Sequence, residues 1–303
     1  MTLMSQIDNI KKTISGKITF NESLSKHSWF NLGGPAQVLF RPKNLKELSI
    51  FLKKINGLSK IKIIGAGSNT LIRDGGFDGV IIKLGKSFSH LSILNSEKII
   101  AGSSAMDKDV SKFAIQNLLS GFEFLSCIPG AIGGAVRMNS GCYGEDISNI
   151  LISVQAMDYV GNIKIINSSD IKFYYRGSDL SNDLIFISAT FKGKKDIKQN
   201  IEQKINELLK RKESAQPLKV RTCGSTFKNP ENKKAWKLIK DSGCIGMKVG
   251  DAQISDKHCN FFINNGKAKA KDLEKLIFQV KDKVLQNTGV KLELEVQIIG
   301  KSL

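Results

Sequence analysis

The sequence predicts a mixed α/β protein of two or three modest domains, and three features of its 303 residues carry that prediction. Isoleucine-rich runs bounded by glycine turns are typical of strands, and they alternate with longer stretches whose apolar side chains recur at helical spacing. Two glycine-rich segments, near residues 65 and 133, lie among apolar residues, where a backbone can approach a ligand closely. With 41% hydrophobic and 24% charged residues, the chain can bury real cores.

The composition also limits the class of protein. No apolar run approaches the roughly 20 residues that a membrane span needs, and residues 1–12 have no apolar signal core, so we expect a cytoplasmic protein without a membrane partner. The five cysteines are scattered without a CxxC pair and their number is odd, which predicts reduced thiols. The three histidines form no cluster with metal-ligand spacing, and we therefore predict no metal site.

The net charge of +18 admits two interpretations. It could attract a polyanion such as nucleic acid, but the lysines are spread through the chain and no Lys/Arg block is dense enough for a binding tail. Lysine, isoleucine and asparagine are abundant together, which also fits a compositional bias without functional meaning. We favour the bias and predict no nucleic-acid partner, although a positive field would also attract a nucleotide-sugar diphosphate and a phosphorylated cofactor.

The stretch 61–82 is the centre around which the other predicted elements are arranged. A buried strand at Ile61–Ile64 leads directly into a loop of small and polar residues, Gly65-Ala66-Gly67-Ser68-Asn69. The two glycines permit positive φ and close approach of a ligand, and the two polar side chains can add hydrogen bonds. Such a loop can hold an anionic diphosphate with backbone N–H groups, and a tight β-turn without a ligand is the alternative.

The residues after this loop do not continue as a dinucleotide-binding Rossmann turn does. Thr70 stands where the third glycine would be, and Asp74-Gly75-Gly76 breaks the chain where a helix would run. A second strand is predicted from Gly79 to Leu84. The unit is therefore strand, loop, turn, strand.

Before this unit, residues 1–25 are predicted to be helical in part, and a turn lies at Phe30–Ala36. Its paired glycines, Gly33 and Gly34, allow the backbone near a ligand, and a plain loop is the alternative. Asn44 and Glu47 have the spacing of a capping box. The apolar residues that follow predict a helix with a core-facing stripe of Leu45, Leu48, Phe51 and Leu52.

After Leu84 we predict short strands to about residue 101 and a helix from about Met106 to Leu119, with Gly121 as its C′ residue. The segment 127–144, CIPGAIGGAVRMNSGCYG, follows. Five glycines and one proline stand there among small apolar residues, and Arg137 is the only charge. A solvated loop would be polar, so this composition indicates a backbone packed against a flat, largely buried group.

Strands are predicted from Ile150 to about Phe191, and they contain the segment FYYRGS. An arginine fixed among aromatic and turn residues needs a partner, which makes Arg176 a candidate for binding a carboxylate or phosphate. A helix is predicted from about Asp196 to Glu213, and we place a domain boundary near its end. Its apolar stripe consists of Ile197, Ile201, Ile205 and Leu208.

Three further features complete the chain. In RTCGSTFKNP, Ser225 has no histidine near it in sequence to make it a nucleophile, so on chemistry alone it is a turn residue. A helix is predicted from about Ala270 to Leu285, with Gly289 after its end and a core face of Leu273, Leu276, Ile277, Val280 and Val284. The run from Val290 to Ile298 alternates strictly between apolar and polar residues and predicts a strand.

Five of these segments resemble, in the same order, motifs of the UDP-N-acetylenolpyruvoylglucosamine reductase family. They are the 65–69 loop, the segment 127–144, YRGS, GSTFKNP and LELEV at 292–296. The segment 246–260 resembles a further pattern, GxxVGxAxxSxKHxxF, in which His258 is a positioning or structural residue rather than a general base. The resemblance covers roughly residues 25–300.

The resemblance implies an α+β fold. An FAD-binding module of the vanillyl-alcohol-oxidase (PCMH) type would occupy residues 1–213, with subdomains at about 1–84 and 85–213, and an α+β substrate-binding domain would follow at 214–303. Strands and one helix fill the interval between YRGS and GSTFKNP, so the chain resembles the shorter type of member, which lacks an extra substrate-covering insertion. We expect a monomer.

The resemblance also implies a noncovalent FAD and the residues of its site. The cofactor would be bound by Gly33, Gly34, Gly65, Gly67, Ser68, Asn69, Pro129, Gly130, Gly133 and Gly134. The catalytic residues would be Arg176, Ser225 and Glu295, and the substrate contacts Tyr175, Lys228 and Asn229. Cys223 departs from the pattern, since the family has a small residue such as alanine there.

The implied reaction is ping-pong. NADPH would reduce FAD and leave, and UDP-N-acetylglucosamine enolpyruvate would then be reduced to UDP-N-acetylmuramic acid for peptidoglycan. Arg176 and Glu295 would position and polarise the substrate carboxylate, and Ser225 would protonate the carbon that bears it. The alternatives are another flavin oxidoreductase of the same fold and, less favoured, a basic nucleic-acid-binding protein.

Overall fold

The computed structural model describes residues 2–303, and the chain folds into two compact units. Unit 1 comprises the described residues up to Thr19, Val38–Ala66 and Gly79–Arg211. Unit 2 comprises Phe20–Gln37, Gly67–Asp78 and Lys212–Leu303. The chain therefore enters unit 2 twice before its C-terminal third, and the predicted domain limits at residues 84 and 213 stay predictions.

The described residues form seven α-helices, and five of them lie where the sequence predicts helical structure. The seven helices are α1 (Leu3–Lys11), α2 (Leu45–Ile55), α3 (Asp107–Gln116), α4 (Ile132–Arg137), α5 (Lys198–Ala215), α6 (Ala235–Asp241) and α7 (Ala270–Thr288). The predicted core face of α7 is confirmed, since all five of its residues are buried. Gly289 ends α7 in the left-handed conformation at φ 68°, as expected.

Helix α2 begins with the predicted cap, although half of the capping box differs. The Asn44 side chain accepts a hydrogen bond from the Glu47 N–H at 2.9 Å. The Glu47 carboxylate does not return to the Asn44 N–H; it accepts from the N–H groups of Lys43 and Ser15 instead. Glu47 thereby joins the helix start to the segment before β1.

The strands of the first two thirds of the chain are β1 (Lys17–Ser23), β2 (Pro35–Arg41), β3 (Ile61–Ile63), β4 (Thr70–Ile72), β5 (Phe77–Ile82), β6 (Leu91–Asn95), β7 (Lys98–Gly102), β8 (Leu119–Ser120), β9 (Gly141–Cys142), β10 (Glu145–Asp146), β11 (Leu151–Asp158), β12 (Ile163–Asn167), β13 (Phe173–Tyr174), β14 (Gly177–Ser178), β15 (Leu184–Lys192) and β16 (Lys194–Lys195). The remaining strands are β17 (Lys248–Val249), β18 (Ala252–Ile254), β19 (Phe262–Asn264) and β20 (Gln297–Ile299).

The core of unit 1 lies around an antiparallel sheet with the strand order β12-β11-β15-β7-β6. Apolar residues of α3, α4 and this sheet form one buried cluster, which includes Val110, Val136, Val154 and Phe191. A second sheet has the order β1-β2-β5-β3, in which β3 and β5 run parallel with Ile61 opposite Val80. The predicted succession of strand, loop, turn and strand after Ile61 is confirmed, with the last strand two residues earlier than expected.

The core of unit 2 lies around α7. Its cluster combines the α7 face with Phe30, Leu71, Phe227 and Phe262, which come from all three chain segments of the unit. Strands β17, β18 and β19 form a small antiparallel sheet, and β20 pairs in parallel with β4. Segments far apart in sequence are therefore joined by this core.

Three predicted details are wrong. Helix α3 ends at Gln116, where the Asn117 side chain donates to the Phe113 carbonyl and Leu118 takes the left-handed conformation, so Gly121 is not its C′ residue. Ile197 precedes α5 and is 59% exposed, unlike the buried Ile201 and Leu208. The alternating C-terminal run forms a strand only at β20, where it pairs with β4, whereas Leu294 makes an isolated bridge with Phe227.

Candidate active site

In unit 1, Gly65 has the open surroundings expected of a ligand-binding glycine. It is exposed, and a Cβ at this position would meet no atom within 4 Å. Within the described chain, neither Gly65 nor Ala66 donates its backbone N–H to an intrachain acceptor. The Gly65 carbonyl accepts a hydrogen bond from Lys83 Nζ at 2.7 Å, which orients the peptide. Free N–H groups on an orderly turn suit an anionic group such as a diphosphate.

The glycine-rich segment 127–144 of unit 1 is an ordered turn followed by a short helix. The Gly130 carbonyl accepts from the Asp107 N–H, and the Gly133 N–H donates to the Ser103 carbonyl at 2.8 Å. Gly133 packs closely, because its Cβ position is 3.1 Å from Ser103 Cβ, whereas Gly134 is exposed with no atom within 4 Å. Pro129 is half-buried before this turn. Gly134 thus leaves backbone accessible.

Arg137, the one charge of this segment, serves the fold. Its guanidinium donates to the carbonyls of Leu180, Ser181 and Leu184 at 2.8–2.9 Å and lies 4.3 Å from the centroid of the Phe186 ring. Burial, chiefly, lowers the pKa of Arg137 from its ordinary value. The arginine therefore fixes residues 180–184 and is not an anion-binding candidate.

Tyr175 and Arg176 form the two-residue turn between β13 and β14. Arg176 has φ 59°, an uncommon conformation for a side chain of this size, and such strained residues recur at functional sites. Its Nη2 donates to the Gly141 carbonyl at 2.8 Å, and its guanidinium carbon lies 4.9 Å from the centroid of the Tyr175 ring. The structure thus brings YRGS and the 127–144 segment together within unit 1, while Tyr175 is 49% exposed.

In unit 2, the glycines of the predicted loops are required by packing. A Cβ on Gly67 would lie 1.9 Å from the His27 carbonyl oxygen, and a Cβ on Gly34 would lie 2.0 Å from the Asp74 carbonyl oxygen. Gly33 has φ 140° and its Cβ position is 2.8 Å from the Ile72 side chain. Chain packing alone therefore accounts for these glycines, and their predicted contact with FAD stays a prediction.

Asn69 and Ser68 differ in what their side chains do. The Asn69 side chain donates to the Glu295 carbonyl at 2.9 Å, so it joins the loop to the C-terminal segment. Ser68 is half-buried, and its hydroxyl makes no hydrogen bond in the part of the chain that the structure describes. Ser68 is therefore the residue of this pair with a donor available to a ligand.

Ser225 and Glu295 lie on neighbouring segments of unit 2. The Thr226 carbonyl accepts from the Glu295 N–H at 2.9 Å, and the next residue along, Phe227, bridges Leu294 in antiparallel fashion. Both Ser225 and Glu295 are half-buried. The pairing sets Glu295 opposite Thr226, the residue after Ser225, so two residues that are 70 positions apart in the chain lie one register position from each other.

Lys228 and Asn229 follow on the same segment. The Lys228 N–H donates to the Glu293 carbonyl, and Lys228 Nζ lies 3.9 Å from the Glu293 carboxylate. Asn229 Oδ1 accepts from the Ala235 N–H at 3.0 Å at the start of α6. Asn229 therefore has a structural contact in addition to its predicted role toward the substrate.

Cys223 lies under the 67–70 loop. It is buried, and its Sγ lies 3.5 Å from the carbonyl oxygens of Gly67 and Thr70 and 3.8 Å from Ser28 Oγ. Burial raises the pKa of the Cys223 thiol to about 11. A neutral thiol donor that packs against the loop explains how cysteine fits where the family pattern has a small residue.

Sequence reasoning missed Asn260, which is buried behind Phe227. Its carboxamide Nδ2 donates to the Phe227 carbonyl at 2.8 Å, and its Oδ1 accepts from the Phe227 N–H at 2.9 Å. His258, two residues earlier, is half-buried, and burial lowers its pKa below the ordinary value. An asparagine near a histidine carries no signal in the sequence that could have revealed this pairing.

The residues of unit 1 fit FAD. Gly65 and Gly134 are exposed glycines with open space at the Cβ position, and the free N–H groups of Gly65 and Ala66 supply donors for a diphosphate. Residues 36–167 match a family model described as an FAD binding domain. The fold and this site define the class of protein as an FAD-dependent oxidoreductase.

Comparison with known proteins then gives the family. Residues 216–299 match the model of the UDP-N-acetylenolpyruvoylglucosamine reductase C-terminal domain. The chain is 52% identical over 299 residues to the UDP-N-acetylenolpyruvoylglucosamine reductase of Pelagibacter ubique, covering 98% of this chain and 99% of that protein. It is 44% identical over 288 residues to that of Rickettsia bellii, covering 95% of each chain.

A solved structure is similar over the same length. The reductase from Thermus caldophilus (MurB) matches with a TM-score of 0.82 at 29% identity, covering 95% of this chain and all of that one. The chain belongs to the UDP-N-acetylenolpyruvoylglucosamine reductase family. The predicted family, α+β fold and FAD cofactor are thereby confirmed, and the individual site residues stay predictions. Among the described residues, no helix is long and apolar enough to cross a membrane.

Proposed function

We propose that this protein reduces UDP-N-acetylglucosamine enolpyruvate to UDP-N-acetylmuramic acid with NADPH, a step of peptidoglycan precursor synthesis. The observation that carries the proposal is the 2.9 Å hydrogen bond from the Glu295 N–H to the Thr226 carbonyl. This bond places Ser225 beside the segment that carries the Glu295 carboxylate. The names of the relatives at 52% and 44% identity support the substrate.

The reaction adds one hydride equivalent and one proton across the carbon–carbon double bond of the enol ether. FAD, when bound, carries the two electrons from NADPH to the substrate. Ser225 donates the proton to the carbon that bears the carboxylate, and solvent replaces it. Its Oγ makes no hydrogen bond within the described chain, so its proton is available to a ligand.

Glu295 and Arg176 act on the charge of the substrate. The enol that forms beside the carboxylate needs stabilisation, and Glu295, as the protonated acid, polarises that carboxylate by donating a hydrogen bond to it. Arg176 binds the carboxylate through its planar fork, since its fixed guanidinium is already oriented by the Gly141 carbonyl and the Tyr175 ring. Tyr175, Lys228 and Asn229 contact the nucleotide sugar.

The test is anaerobic and uses the purified FAD-loaded protein. NADPH should bleach the flavin absorbance, and UDP-N-acetylglucosamine enolpyruvate should restore it with formation of the lactyl ether. UDP-N-acetylglucosamine, which lacks the enol ether, should leave the flavin bleached. A protein that NADPH reduces but the enolpyruvyl compound does not reoxidise would be another flavin oxidoreductase of this fold, and acid precipitation should release the FAD because its attachment is noncovalent.

A further inference from the structure

The segment that carries Ser225 is held from two sides within unit 2. On one side, the Thr226 carbonyl accepts from the Glu295 N–H and the Lys228 N–H donates to the Glu293 carbonyl, each at 2.9 Å. On the other side lies Asn260, which is only 3% exposed. The segment therefore has a strand-like partner on one edge, and on the other edge it meets residues 260–261, where the Asn260 side chain contacts Phe227.

Asn260 supplies three hydrogen bonds to two consecutive residues. Its carboxamide pairs with both the N–H and the carbonyl of Phe227, and its own carbonyl accepts from the Thr226 N–H at 2.8 Å. A carboxamide offers a donor and an acceptor side by side, as the backbone of a neighbouring strand does. At Phe227, the Asn260 side chain thus makes the two hydrogen bonds that the backbone of a neighbouring strand would make.

Asn260 is itself held in place. Its N–H donates to His258 Nδ1 at 3.3 Å, which requires a neutral imidazole with an unprotonated Nδ1. Ser225 bridges Phe261, the residue after Asn260. The position of the Ser225 backbone is therefore determined by the same short stretch, 258–261, on which Asn260 lies.

We propose that Asn260 is a positioning residue for proton transfer, which keeps the segment of Ser225 in register with the segment of Glu295 by pairing with both backbone groups of Phe227. The inference rests on the proposed function and adds a residue to it. A donor that is displaced by about 1 Å can lose on the order of 10²-fold in rate, so the effect should appear in the step that uses Ser225.

The test is Asn260→Asp, because the two protonation states of the new carboxyl group differ in whether they can donate a hydrogen bond to the Phe227 carbonyl. An ionised carboxylate can accept from the Phe227 N–H but cannot donate to the Phe227 carbonyl, whereas the neutral acid offers one donor and one acceptor. At pH 8.5 we expect reoxidation by the enolpyruvyl substrate to slow by about 10–100-fold. Burial disfavours a charge at this position, so the variant carboxyl should take up a proton as the pH falls. Lowering the pH to 6 should therefore restore most of the rate, with flavin reduction by NADPH unchanged at both pH values.

Asn264→Asp is the matched control. Asn264 is also 3% exposed and lies in unit 2, but its side chain donates to the Phe30 carbonyl and accepts from the N–H groups of Gly266 and Ala268. We expect this variant to lose stability without a loss that is selective for reoxidation. Other ionisable groups lie near the segment, namely His258, Cys259, Glu295 and the Lys228–Glu293 pair. Any effect of pH on these groups should also appear in the control and in the wild-type protein, so it can be subtracted.

Amide hydrogen exchange gives a readout that is independent of turnover. Relative to the wild type at pH 8.5, Asn260→Asp should exchange faster in residues 226–228, and Asn264→Asp should not. A reoxidation rate that is unchanged, or that falls equally at pH 6 and 8.5, overturns the inference. Failure of Asn260→Asp to fold at either pH, or the same selective loss in Asn264→Asp, makes the residue purely structural.

The outcomes separate the inference from the function on which it rests. If the wild-type protein is not reoxidised by the enolpyruvyl substrate, the proposed function fails and this inference fails with it. If the wild type turns over and only the expected selectivity or pH recovery of Asn260→Asp is missing, the inference alone fails.

Discussion

The Asn69 side chain donates to the backbone carbonyl of Glu295 at 2.9 Å, across 226 residues of sequence. This hydrogen bond connects a residue of the predicted diphosphate loop with a residue of the predicted catalytic set. Asn69 therefore supports the segment 293–296 through the carbonyl of Glu295, whereas Thr226 accepts from the N–H of the same residue.

Asn69→Ala should remove this support. We expect a loss of about 1 kcal/mol in the free energy of unfolding and slower reoxidation by substrate, since a neutral hydrogen bond contributes about that much. Urea unfolding and anaerobic half-reactions measure the two effects. Ser68→Ala is the control, because the Ser68 hydroxyl makes no hydrogen bond in the described chain, and it should leave stability unchanged. Equal stability losses in the two variants would contradict the role assigned to Asn69.

Gly65→Ala should weaken FAD binding without affecting the fold. The Cβ meets no atom of the protein within 4 Å, so any loss reports the close approach of the cofactor. Gly85→Ala is a matched control with equally open space outside the predicted site. Gly67→Ala should instead lower the free energy of unfolding by about 2 kcal/mol or more, because its φ is 75° and its Cβ would clash with the His27 carbonyl. FAD titration and urea unfolding test all three, and unchanged FAD affinity in Gly65→Ala would remove Gly65 from the site.

Arg176→Lys should reduce turnover strongly at unchanged FAD content. A lysine cannot reproduce the planar fork, the bond to the Gly141 carbonyl or the contact with the Tyr175 ring. Arg137→Lys is the contrast, because Arg137 binds three carbonyls and its loss should appear in thermal stability. Steady-state kinetics and thermal unfolding distinguish the two. Near-normal turnover of the Arg176 variant would exclude that residue from the chemistry.

Ser225→Ala should separate the two half-reactions. Flavin reduction by NADPH involves no proton transfer to the enolpyruvyl substrate and should be nearly unaffected. Reoxidation by that substrate should slow on the order of 10²–10⁴-fold, the range for losing a positioned general acid. Ser225→Cys keeps a donor and should retain more activity than alanine. If stopped-flow shows both half-reactions slowed equally in the alanine variant, Ser225 shapes the site generally and is not the proton donor.

Asp107 should make the stability of the protein depend on pH. Its carboxyl is fully buried and has no hydrogen-bond partner in the described structure, and burial raises its pKa well above the ordinary value. The folded state then retains a proton that the unfolded chain loses near pH 4, so unfolding releases a proton and stability falls as pH rises above about 4.

Asp107→Asn should lack this dependence. The difference in unfolding free energy between variant and wild type should move in favour of the variant as the pH rises from 5 to 8.5, by about 1.4 kcal/mol for each pH unit until the folded-state pKa is reached. Urea unfolding at several pH values measures it. A difference that stays constant would mean that Asp107 is ionised and paired in solution.

Local patterns in the sequence determined much of the fold. The spacing of Leu273, Leu276 and Val280 was sufficient to place α7 and its buried face, and Gly289 marked its end. The order of glycine turns and isoleucine runs after Ile61 predicted strand, loop and strand without a helix. These features depend on neighbouring residues only, because helical periodicity and turn conformations are set within a few positions of the chain.

Only the tertiary structure decided which glycines face open space and which face protein. Gly65 and Gly67 are equivalent in the sequence, yet one is exposed and the other would clash with His27. The pairing of Asn260 with Phe227 likewise joins segments 33 residues apart. Such contacts depend on how distant segments meet when the core closes, and the backbone hydrogen bonds of a segment must be satisfied by whichever groups arrive there, so no local pattern can specify them.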